Sequence, residues 1–206
     1  MTGYVLYGAK GTGSFAPQVF LELAQAPYQF HNVDLANGEQ RSEAFLAVNP
    51  HGKVPALRLP DGTVITESAA MMLHFGERFP ACGLLPPEAS VDRAQVQRWM
   101  VFMAANIYET CLRAFYSERF TTLPETADGV RDAANAALAQ QWRILEAALN
   151  PGPYLLGRQR SIADIYMLML APWTEITKTL ANVQRTVAAL VADPLIKPLW
   201  IQHTES

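Results

Sequence analysis

The chain has 206 residues, half of them apolar, and a formal net charge of −3 from 16 basic and 19 acidic side chains. That is enough apolar surface for one large or two small domains, and a mild acidic balance without a basic cluster excludes nucleic acid and an anionic membrane as main partners. Two cysteines, Cys82 and Cys111, are too few for a disulfide framework or a zinc site, and no run of eighteen apolar residues or export-type leader is visible, so a cytoplasmic protein is expected.

In chain order, Tyr4 to Gly8 has the pattern of a buried strand, Lys10 to Ser14 is a glycine-rich loop, and Phe15 to Gln25 has the apolar spacing of an amphipathic helix. Gln29 to Asp34 predicts a second strand, so the opening is a β-loop-α-β unit. Gly11-x-Gly13-x-x-Ala16, with Asp34 at the end of the second strand, also satisfies the dinucleotide fingerprint. The sequel argues against that reading. A nucleotide fold needs further parallel strands, whereas here a hairpin across Asp61-Gly62 and one helix close the sheet.

The stretch from Asn49 to Phe79 gathers the strongest signals: Asn49-Pro50, then Lys53-Val54-Pro55, two short strands joined at Asp61-Gly62, and a helix that opens after Glu67-Ser68. Proline lowers the cost of a cis peptide to about 0.5–1 kcal/mol, and the position of Val54-Pro55 between a turn and an apolar strand predicts a cis bond. Val54 then offers its N–H and C=O outward to a peptide-like ligand. At the helix mouth unpaired N–H groups favour an anion while the Glu67 carboxylate favours a cation, so a zwitterion fits both. The plainer alternative is that Thr66, Glu67 and Ser68 form a helix cap.

Pro80 to Ser90 loses periodicity and gathers prolines, the composition of a linker. Beyond it the pattern is helical: Val91 to about Ser117, a break at Thr121 to Glu125, and a long helix to Leu149. Asn150-Pro-Gly-Pro153 follows, then Ser161-x-x-Asp164, whose side chains predict a capping box. Two short helices, Val183 to Ala192 and Leu195 to His203, complete the pattern. The predicted boundaries are 1–79 for a first domain, 80–90 for the linker and 91–206 for an all-helical domain.

Asn49-Pro50, Lys53-Val54-Pro55 and Glu67-Ser68-Ala69-Ala70-Met71 together resemble the N-terminal domain of cytosolic glutathione transferases, and the similarity extends over nearly the whole chain in the bacterial style. The resemblance implies an α/β thioredoxin-like N-terminal domain followed by an all-helical C-terminal domain, in a homodimer. It implies glutathione as substrate, held by Lys53, Val54, Pro55, Glu67 and Ser68, with no metal. Family members ionise the thiol with a Tyr, Ser or Cys before the first helix. Gly8 to Phe15 contains neither Tyr nor Cys, which leaves Ser14, Thr12 or backbone N–H groups; Ser14 could instead simply cap the Phe15 helix. Phe15, Tyr108 and Leu112 fall where related enzymes line the pocket for a small electrophilic substrate, with ordinary packing as the alternative. Asp164 is read as a folding element, His51 as solvated, and the helical methionines as core. The implied activity is conjugation of glutathione to small, fairly apolar electrophiles. A non-catalytic binding protein of the same fold is the alternative, and a glutathione-linked oxidoreductase ranks last because it would need a loop cysteine.

Overall fold

The computed structural model describes residues 3–205. Its contacts divide the chain into two compact units: one of the residues up to Leu85 with those from Val191 onward, the other Pro86–Leu190.

The first unit begins β1 (Tyr4–Gly8), α1 (Phe15–Leu23) and β2 (Tyr28–Asn32). A short α2 (Glu43–Leu46) leads to the hairpin β3 (Ala56–Arg58) and β4 (Val64–Thr66), then α3 (Ser68–Arg78). The sheet order is β2-β1-β3-β4, with β1 parallel to β2 and antiparallel to β3. This is the thioredoxin-like domain expected, and the antiparallel half removes the nucleotide-fold reading: the first crossover is not followed by another parallel strand. The β3–β4 turn is set by Asp61, whose Oδ1 accepts from the Thr63 N–H at 2.9 Å, and by Gly62 at φ 92°.

The apolar faces of α1 and α3 meet over the sheet, where Phe20 stacks on Phe75 at 5.4 Å and Tyr4 meets Phe75 edge-on at the same distance. Met71 and Met72 of α3 are fully buried, as expected of core methionines.

The chain from Val191 onward includes the whole of the last helix, α9 (Lys197–Thr204), and belongs with this first unit rather than with the all-helical domain predicted over 91–206. The physical reason is a buried contact: the Phe15 ring at the start of α1 packs edge-on against Trp200 at 6.0 Å and His203 at 5.2 Å. Helical periodicity identifies such a segment but not the surface that it covers.

The second unit is helical: α4 (Val91–Phe102), α5 (Glu109–Phe115), α6 (Ala127–Ala148), α7 (Ile162–Leu170) and nearly all of α8 (Ala181–Val191). Helices α4 and α5 are joined without a break by a π-helical stretch, Met103–Tyr108, where the sequence pattern suggests uniform helix. Each residue of α7 is buried, so this helix is apolar all round and forms the centre of the unit.

Only Asp164 interrupts that apolarity, and its carboxylate is fully used. Oδ1 accepts from the Leu155 N–H at 2.8 Å, while Oδ2 accepts from the Ser161 N–H at 2.7 Å and hydroxyl at 2.8 Å. The predicted capping box is present. Nearby, Asn150-Pro151 is a second cis bond, which no feature of the sequence pattern predicts, and Arg185 secures its loop by donating to the Leu149 and Gly152 carbonyls at 2.9 and 2.7 Å.

Candidate functional site

The candidate site is built within the first unit, from two loops and the mouth of α3. Asn49, almost wholly buried, braces the first loop from inside: its Oδ1 accepts the His51 N–H at 3.0 Å and its Nδ2 donates to the Lys53 carbonyl at 2.6 Å. Gly52 sits at φ 64°, a left-handed turn that glycine adopts freely. The chain then delivers Val54, half-buried, to the cis Val54-Pro55 bond that the sequence predicted. Among the described residues neither the N–H nor the C=O of Val54 has a hydrogen-bond partner. Such groups are strong donors and acceptors that a protein rarely leaves idle except toward water or a ligand. The Lys53 and His51 side chains are exposed beside them, His51 as expected.

At the end of β4 the chain turns into α3 through Glu67, an exposed residue held at φ 64° and ψ 105°. For a residue with a Cβ this is sparsely populated backbone, costing about 1–3 kcal/mol. Its side chain makes no capping bond, so Glu67 does not serve as the cap that was the plainer alternative. Ser68 follows, buried in the first turn of α3.

The second loop, Ala9 to Ser14, is folded onto the end of β1. A Cβ at Gly8 would lie 2.3 Å from Ser14 Cβ, so glycine is required there by close approach. Ser14 is 0% exposed; its Oγ lies 3.0 Å from the Ala9 carbonyl and 3.0 Å from Thr12 Oγ1, which is itself 2.7 Å from that carbonyl. The hydroxyl expected to face a ligand is therefore turned inward. Nor does it cap α1, because Ser14 already has helical backbone angles, φ −76° and ψ −17°, and no side-chain cap bond. Its role here is to pin the loop. Thr12 is half-buried, and the N–H groups of Thr12 and Gly13 find no acceptor among the described residues.

Of the residues expected to line a second pocket, Phe15 is 3% exposed and faces Trp200 and His203 instead, because α9 covers it. Tyr108 and Leu112 are half-exposed in the second unit. Tyr108 meets Trp173 edge-on at 5.0 Å, and Phe115 approaches the same indole at 6.4 Å. Trp173 does not stand out in the sequence, since a lone tryptophan after a proline carries no pattern.

The cysteines are not suited to thiolate chemistry of their own. Burial pushes the Cys111 thiol up to about 12 and raises that of Cys82, the reverse of what a reactive thiolate needs. Among the described residues no cluster of His, Cys, Asp and Glu could hold a metal ion, and no helix is long and apolar enough to cross a membrane.

A family described as glutathione S-transferase, N-terminal domain, matches residues 15–78. The chain is 32% identical to an uncharacterized GST-like protein, YncG, of Escherichia coli K12, over 82% of this chain and 80% of that one. It is 28% identical to the glutathione S-transferase GstA of Escherichia coli O157:H7, over 84% and 83%. Among solved structures, a glutathione transferase homologue from Sulfitobacter with bound glutathione superimposes with a TM-score of 0.91 at 26% identity, covering 99% of this chain and all of that one.

Proposed function

The chain belongs to the glutathione S-transferase family, and from that premise we propose that it conjugates glutathione to small, fairly apolar electrophiles. The observation that carries the reading is the idle backbone of Val54, one donor and one acceptor side by side at the surface of a thioredoxin-like domain. The peptide middle of glutathione pairs with that edge as a short strand. Glu67 takes the ammonium of the γ-glutamyl end, Ser68 and the first turn of α3 its carboxylate, and the Lys53 ammonium the far carboxylate. Pro55 ends the edge, so the ligand pairs with one residue only.

The reaction needs a thiolate. An ordinary thiol with pKa about 8.5 is roughly 3% ionised at pH 7, and lowering it by two units makes it roughly three-quarters ionised, a preference of about 2.7 kcal/mol. Ser14 and Thr12 share in creating that preference. When the Ser14 hydroxyl donates to the Ala9 carbonyl, the Thr12 proton is released toward the sulfur. One hydroxyl bonded to an ion supplies about 1.5–3 kcal/mol, and the Gly13 N–H at the start of α1 adds to it. The thiol proton passes to solvent. A sulfur lone pair then forms the bond to the electrophilic carbon, while the displaced group leaves with its electron pair or, in an addition, the adduct takes a proton. We assign the apolar partner to Tyr108, with Trp173 edge-on against it, and to Leu112, an aromatic and aliphatic surface that suits it.

Calorimetry with glutathione and product assays with a halogenated aromatic electrophile test the two halves separately. Binding with product formation is expected. Absence of glutathione binding overturns the reading. The inward-turned Ser14 favours a second one, a protein that holds glutathione without turnover; binding with no conjugate formed selects it.

A further inference from the structure

The loop that carries Thr12 is fastened by a residue 192 positions away. The Gly11 N–H donates to His203 Nδ1 at 3.2 Å, and the other ring nitrogen, Nε2, lies 3.0 Å from Gln18 Oε1. Because a backbone N–H can only donate, Nδ1 must be bare, and the ring proton sits on Nε2 and points at the Gln18 oxygen. Gln18 Nε2 in turn donates to Tyr28 Oη at 3.3 Å, and Tyr28 donates to Glu22 Oε1 at 2.6 Å. The direction of every bond is thus fixed, from the Gly11 amide through the imidazole, amide and phenol to a carboxylate. Each group that donates onward becomes a stronger acceptor for the group before it, so the chain strengthens Nδ1 toward the Gly11 amide.

Two further contacts tie this end of the chain to the loop and to the start of α1. Lys10 Nζ donates to the Glu205 carbonyl, and the His203 ring packs edge-on against Phe15. The Gly11 backbone is at φ 69°, so the loop reverses at the residue that the imidazole holds. The groups facing His203 are Lys10 from the loop, Gln18 from α1 and the phenol of Tyr28 beyond it.

We propose that His203 is a positioning residue for thiol ionisation, its bare Nδ1 fixing Gly11 so that Thr12 and the Gly13 N–H face the sulfur of bound glutathione. This rests on the function proposed above. Burial and the neighbouring Lys10 charge hold His203 down to about 4, so the ring stays neutral and keeps its acceptor throughout the neutral range. Burial and the bond to Glu22 push Tyr28 up to about 12, which preserves the far end of the chain as a donor.

The two ring nitrogens can be replaced one at a time. The amide oxygen of His203→Asn reaches the place of Nδ1, whereas the amide NH2 of His203→Gln reaches that of Nε2. Amide hydrogen exchange at Gly11 reads the bond in the unliganded protein, and ultraviolet titration of bound glutathione reads its consequence. His203→Gln is expected to lose Gly11 protection, raise the bound-thiol pKa by about one unit and lower kcat about fivefold near pH 6.5, with glutathione KM changed less than threefold. His203→Asn is expected to restore most of both. Equal exchange at Gly11 in wild type and His203→Gln overturns the proposal, as does an unmoved thiol titration or an equal effect of the two variants. A wild-type protein that binds glutathione but never ionises it refutes the parent reading instead, and the Gly11 exchange alone then decides the positioning.

Discussion

Glu67 joins an observed backbone strain to a proposed ligand contact, and substitution separates the two. At φ 64° and ψ 105° a residue with a side chain costs the fold about 1–3 kcal/mol, which glycine would avoid. Glycine also loses more freedom on folding, about 0.5–1 kcal/mol. Glu67→Gly should therefore stabilise the protein by about 0.5–2 kcal/mol. Glu67→Ala keeps the strain, and because the side chain is exposed and caps nothing, its stability should match wild type within about 0.5 kcal/mol. Both variants lose the same charged contact to the ammonium of glutathione, about 1.5–3 kcal/mol, so both should bind roughly 10- to 150-fold more weakly. Urea unfolding gives the first quantity and calorimetry the second. If Glu67→Gly is no more stable than Glu67→Ala, no strain is stored at this position. Unchanged affinity in both removes Glu67 from the site.

Ser68→Ala should also weaken glutathione binding, by about 1.5–3 kcal/mol on calorimetry, while leaving the protein folded. Thr12→Val should raise the bound-thiol pKa by one to two units, about the worth of one hydroxyl bonded to an ion, and Ser14→Ala should shift it less; a larger effect at Ser14 would return the direct role to that residue. Asp164→Ala strands two buried N–H donors, those of Leu155 and Ser161, and should cost about 3–5 kcal/mol in urea unfolding. Burial outweighs the hydrogen bonds that favour its charged form and lifts the Asp164 carboxyl from 3.8 to about 6. The folded protein therefore keeps this proton where the unfolded chain has lost it, and the contribution to stability is complete below about pH 4 and lost as pH rises through about 6. The stability of wild type relative to Asp164→Asn should fall across that window. Sedimentation at micromolar concentration should give twice the mass of one chain, since we propose a homodimer; a species of single-chain mass contradicts that.

Local chemistry made much of the fold legible. A short apolar run gave β1, the Asp61-Gly62 pair gave the hairpin, and Ser161 with Asp164 gave the start of α7, because each is decided by neighbours within a few residues. The π-helical stretch at 103–108 was not legible: one extra residue per turn leaves the apolar spacing almost unchanged. At the candidate site, Val54, Glu67 and Ser68 stand out because their backbone roles go with a compact motif. The inward direction of Ser14 is hidden from the sequence because it depends on the missing side chain at Gly8, into whose space the serine folds. His203 and Gln18 carry only weak signals, a polar residue in an apolar run and a histidine in a short helix, and their meeting is a property of packing across the chain.

The return of α9 to the first unit gives the protein a sequence of assembly as well as a shape. A ribosome adding about 5–20 residues per second needs roughly 10–40 s to travel from Phe15 to His203. Until then the nascent thioredoxin-like domain exposes the Phe15 ring and leaves the Gly11 amide to water. The loop from Ala9 to Ser14 is thus among the last parts of the molecule to be fastened, so a stalled or shortened chain retains the Val54 edge while lacking the brace on that loop.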